Sequence, residues 1–151
     1  MLKMIYAFYV LMRLYRLYSI WPNEIKFEEL PEGKLGQMRI IIPGGYTTLV
    51  IDLSQNASFK EVFLTVAHEY RHMWQYFNLG EDDYIQWTQI AEKSHLASAI
   101  EVDAEVFAIR FYKGVDIQAL EIFEDMKQYM ADFESLQHCG MRWLLRDMLF
   151  A

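Results

Sequence analysis

The sequence predicts an α+β fold: an N-terminal helix, a small, mostly antiparallel sheet of about three strands, then helices to the C-terminus. Three observations carry this. Residues 2–19 read as an apolar helix without acidic residues. "QMRIIIP" and "YTTLVIDL" are rich in β-branched side chains and are punctuated by "PGG" at 43–45. "SFKEVFLTVAHEYRHMWQYFNLG" opens on a helix-start signal and closes on a glycine.

Taken in order, the first helix ends before Trp21-Pro22, because a residue preceding proline disfavours the helical conformation. Its uncharged run, "MIYAFYVLM", is followed at once by Arg13 and Arg16 and is too short to span a bilayer. No small-residue cleavage site follows, so a secretory leader is not expected. A buried amphipathic helix is favoured over one lying on a membrane surface. "EIKFEEL" alternates weakly and gives a first strand, and "PEGKLG" supplies turn residues.

Ser58 and Glu61 form a capping box at the head of the next helix. Phe59, Phe63, Val66, Tyr70 and Phe77 recur at helical spacing and mark its core face, and Gly80 stops it. Residues 81–94 mix acidic, polar and aromatic residues and read as a loop with a short helix. Residues 96–113 form another helix ended by Gly114. The tail, with Asp116 as N-cap, holds two more helices broken near "HCG".

The 151 residues suit one domain, 1–151, with its own core. Hydrophobic residues make up 54% and charged residues 23%, a globular and not a disordered balance. A net charge of −7 argues against nucleic acid as a partner, since phosphate binding needs clustered Lys and Arg. The single cysteine, Cys139, reads as a small buried hydrophobe. It allows no intramolecular disulfide, in keeping with a cytoplasmic, reducing location.

The chemistry sits in "AHEYRHMW". His68 and His72 are four apart, so on a helix they stand one above the other on the same face. Two imidazoles so placed can hold one Zn²⁺, with Glu69 beside them as general base. Thr65 shares their side of the helix, while Phe63, Val66 and Tyr70 lie on another. A catalytic zinc needs a third protein ligand. The spacing that would add a third histidine downstream is not met, since Gln75 and Asn78 occupy those places. His95 and His138 have no partner at motif spacing. "EVDAEVFA", residues 101–108, offers Glu101 and Glu105 one turn apart with Asp103 between.

With "HEYRHMWQ" followed by "EVDAEVFA", residues 46–110 resemble a compact gluzincin zinc metallopeptidase. They are similar to the small intracellular zinc peptidases of bacteria and mobile elements. The second segment fits the E-x-x-A-[DE]-x-x-A helix of that group. The resemblance implies a zincin-like domain with His68, His72 and Glu101 as zinc ligands, Glu69 as base and Glu105 orienting an imidazole. The family commonly has aspartate or asparagine in the place of Glu105. That departure leaves Asp103 open as the alternative ligand.

The expected function is zinc-dependent hydrolysis of a peptide or protein substrate. "GGYTTLVIDL" is the candidate strand for substrate pairing, and Tyr84, His95 and Tyr112 are candidate donors to a developing oxyanion. The alternative is a zinc-binding regulatory or structural protein with the same ligands and no robust proteolysis. A third reading is a membrane-associated module built on the N-terminal helix.

Overall fold

The structure is a computed structural model that describes residues 1–94 and 99–114. His95, His138, Cys139 and the helices expected after Asp116 lie outside the described residues. The chain is α+β. Helix α1 (Leu2–Tyr18) leads to strands β1 (Glu24–Phe27), β2 (Gly36–Ile41) and β3 (Tyr46–Ile51). Helices α2 (Phe59–Leu79), α3 (Glu81–Ser94) and α4 (Ala99–Tyr112) follow.

Helix α1 stops earlier than its proline requires. Ser19 adopts the left-handed conformation, φ 58°, and its N–H closes on the Tyr15 carbonyl. The helix buries Ala7, Val10, Leu11 and Leu14, at three- and four-residue spacing.

The sheet is mixed. β2 and β3 form an antiparallel ladder running from Gly36↔Ile51 to Ile41↔Tyr46. Gly44 and Gly45, at φ 114° and 72°, make the reversal between them. β1 runs parallel to β3, in register Glu24↔Thr48 to Phe27↔Ile51. The strand order is β1-β3-β2, so β3 is central. Both sides of β3 are therefore paired. "GGYTTLVIDL" has no free edge to offer a substrate, which corrects the expectation placed on it. The edge strand of that hairpin is β2.

Helix α2 begins as its sequence dictates. The Ser58 side chain accepts from the Glu61 N–H at 3.1 Å, and the Ser58 N–H donates to the Glu61 carboxylate at 3.2 Å. Gly80 closes the helix at φ 85°. Of the expected core face, Phe63, Val66 and Tyr70 are buried, and Val62, Ala67 and Met73 join them. Phe59 and Phe77 are instead 46% and 51% exposed. They sit in the first and last turns of a 21-residue helix. Phe59 is a rim residue, edge-on to Tyr6.

Residues 81–94 form a full helix where a loop with a short helix was expected. Glu81, Asp82 and Asp83 fill the first turn, where carboxylates meet the positive end of the helix dipole. The core joins α1, α2 and α4 to the sheet through Leu11, Leu14, Leu49, Ile51, Phe63 and Phe107. A fully buried side chain of this kind contributes about 1.5–3 kcal/mol. Among the described residues no helix is long and apolar enough to cross a membrane.

At Gly36, β2 runs close against α2. A Cβ there would overlap the Thr65 methyl and stand 3.1 Å from the Glu69 Cγ. Gly36→Ala is expected to cost about 1–3 kcal/mol of stability by overpacking. A thermal melt that matches the wild type would show that α2 can move away freely.

Candidate metal centre

His68 and His72 project from the buried middle of α2, and α4 brings its carboxylates against them. The His68 Nε2 lies 3.1 Å from the His72 Nε2. One oxygen of Glu101 lies 3.0 Å from the His68 Nε2, and the other lies 3.3 Å from the His72 Nε2. Behind the rings, the His68 Nδ1 meets the Glu105 carboxylate at 3.0 Å, and the His72 Nδ1 meets the Gln75 Oε1 at 2.8 Å.

These contacts set an acceptor opposite each Nδ1. The Gln75 Nε2 donates to the Ile100 carbonyl and to Asp103, both at 2.8 Å, so its Oε1 is the acceptor facing His72. A carboxylate likewise accepts from the His68 Nδ1–H. Each neutral ring then carries its proton on Nδ1. The two Nε2 atoms converge on each other and on the Glu101 carboxylate.

Such a cluster favours positive charge. Burial alone disfavours a charged His68, but hydrogen bonds with Glu101 and Glu105 outweigh it and raise its pKa to about 10. His72 is raised too: burial opposes its charge, and Glu101 prevails. Burial pushes Glu101 up, yet His68 and His72 hold it well below the usual carboxylate range. Protonating both rings would set two N–H groups 3.1 Å apart, nose to nose. Ligand atoms about 2.0–2.1 Å from a tetrahedral Zn²⁺ stand about 3.3 Å from one another, close to the separations found here. The ligand atoms of His68, Glu69 and His72 all lie within 4.8 Å of one another, and this group could hold a metal ion.

Glu69 is anchored from the sheet. Its carboxylate accepts the Met38 N–H of β2 at 2.8 Å. Since that N–H points away from β3, the register turns Gly36, Met38 and Ile40 toward the outer edge of β2. Tyr84 lies near the carboxylates: burial first, then Glu101 and Glu69, push its hydroxyl up to about 12. Tyr112 is at the far end of α4, packed edge-on to Phe63.

Asp103 turns to Arg71, not to the imidazoles. The guanidinium donates from Nε at 2.6 Å and from a terminal nitrogen at 3.0 Å. Both side chains are buried, and the Arg71 fork lies 3.8 Å from the centre of the Trp74 ring. A continuous network thus runs from His72 through Gln75 and Asp103 to Arg71. Sequence reasoning missed Gln75 and Arg71. The one legible signal was that Gln75 follows His72 by three residues and shares its face of α2.

Comparison with known family models, curated proteins and solved structures finds no match to this chain.

Proposed function

We propose that the protein is a zinc-dependent peptidase. His68, His72 and Glu101 would hold the ion, and Glu69 would be the general base. The observation that carries this reading is the convergence of two imidazoles and one carboxylate, with a second carboxylate fixed beside them by the sheet. When bound, zinc supplies Lewis acidity, which acidifies water and polarises a carbonyl.

The chain's own residues supply the rest. Glu69 takes the proton of the attacking water and passes it to the leaving amine. Its hydrogen bond to Met38 holds the carboxylate at the sheet edge, where an extended peptide can pair with the outward groups of β2. Tyr84, which senses the charges of Glu101 and Glu69, would be the donor to the oxyanion. Glu105 and Gln75 fix the two rings by accepting their Nδ1 protons. Asp103 braces Gln75 and pairs with Arg71, which supports Glu101 over it as the proposed ligand.

Gln75→Leu removes the acceptor that orients His72 and is expected to weaken zinc binding about 10–100-fold. Competition against a chromophoric chelator measures this. Unchanged affinity would mean that the His72 ring is held by packing alone.

The reading is tested with zinc-loaded protein and a proteome-derived peptide library, read by mass spectrometry. New termini that vanish with chelator and return with zinc support it. A library left intact by a protein that retains its zinc would favour the regulatory or structural alternative.

A further inference from the structure

Helix α1 is apolar on the face turned away from the core as well as on the face it buries. Leu2, Ile5, Tyr9 and Met12 follow one another at three- and four-residue spacing on the outer face, and Ile5 and Tyr9 are 58% and 54% exposed. Phe8, Tyr15 and, just beyond the helix, Trp21 extend this surface. A helix apolar all round calls for a covering on both sides.

Charge indicates the covering. Lys3, Arg13 and Arg16 are the charged side chains of the first 22 residues, all basic, in a chain of net charge −7. Arg16 is exposed and falls one turn beyond Met12 on the same face. Lys3 packs over the Phe59 ring and Arg13 over Phe63 and Phe111, so Arg16 is the charge of this face, and contact between two copies through it would offer no acidic side chain from either helix to pair it. An anionic bilayer surface complements both features. It takes apolar side chains at the level of the headgroups, suits tyrosine and tryptophan rings there, and attracts Arg16.

We propose that the outer face of α1 docks the protein on anionic membrane surfaces. The helix lies in the interface and does not cross the bilayer. Its buried side chains keep it packed on α2 and α4, so the domain docks as a folded unit. Deleting α1 would strip Ala7, Val10, Leu11 and Leu14 from the core, so substitutions on the exposed face are the better probe.

The test is flotation of the full chain with phosphatidylcholine vesicles, with and without phosphatidylserine. The wild type is expected to float with the phosphatidylserine vesicles. Arg16→Glu should lower partitioning at least about fivefold, in line with the contribution of one basic side chain near such a surface. Ile5→Glu/Met12→Glu should abolish flotation while melting like the wild type, because both side chains are solvent-facing. Failure of the wild type to float, or equal flotation of the double variant, would overturn the proposal. So would self-association that the double variant removes in the absence of any vesicle binding, which would assign the face to a second copy.

Discussion

Glu69→Gln is expected to retain zinc and to cleave peptides about 10²–10⁴-fold more slowly than the wild type, the usual contribution of a positioned general base. The substitution isolates proton transfer. A glutamine oxygen can still accept the Met38 N–H, so the side chain keeps its place against β2. His68, His72 and Glu101 are untouched, so metal content should match the wild type. Single-turnover cleavage of a peptide taken from the library, with zinc measured on the same samples, reads both quantities. A slow, zinc-replete variant supports Glu69 as base. Equal rates in variant and wild type would remove Glu69 from the mechanism and with it the peptidase reading.

Asp103→Ala is expected to give the largest loss of stability. Asp103 is fully buried, and its carboxylate answers the Arg71 fork and the Gln75 amide. Removing it leaves a guanidinium in the core between Trp74 and Phe107 without its counter-charge. Breaking a buried pair in this way costs about 3–5 kcal/mol. For a chain of this length that is a fall in Tm of about 6–20 °C. Replacing both partners, as in Arg71→Met/Asp103→Ala, should recover part of the loss, because no charge is then stranded. The same variant tests the network behind the metal centre, since Gln75 loses one of its two anchors and zinc affinity should fall with stability. A melt within a degree or two of the wild type would show that the pair contributes little to the fold.

Much of this architecture was legible in the sequence where local chemistry and tertiary packing agree. The capping box at Ser58 and Glu61 fixed the start of α2 to the residue. The spacing of His68 and His72 placed both rings on one face. The strands were legible from their β-branched runs, but their order was not. Nothing local says that β3 enters between β1 and β2 and pairs parallel with the first, and so the wrong strand was expected to offer an edge. Helix α3 was missed because polar residues are mixed among its aromatic ones, while its strongest helical signal is the charge in its first turn. Phe59 and Phe77 fit the helical period of α2, yet the core spans fewer turns than the helix does. At the metal centre, sequence spacing left Glu101 and Asp103 both open. The pairing of Asp103 with Arg71 was not legible, because it depends on how α2 and α4 pack.

The proposed ligation of a metal ion by His68, His72 and Glu101 stands or falls on metal content. The most direct test is zinc per chain by mass spectrometry on protein purified without a metal-binding tag, beside His68→Ala/His72→Ala. The account predicts about one zinc in the wild type and none in the variant, as expected for a site built from two histidines and a carboxylate. A wild type that takes up no zinc even when the metal is supplied would contradict it. The imidazole cluster would then be held by protons, and the peptidase reading would fall.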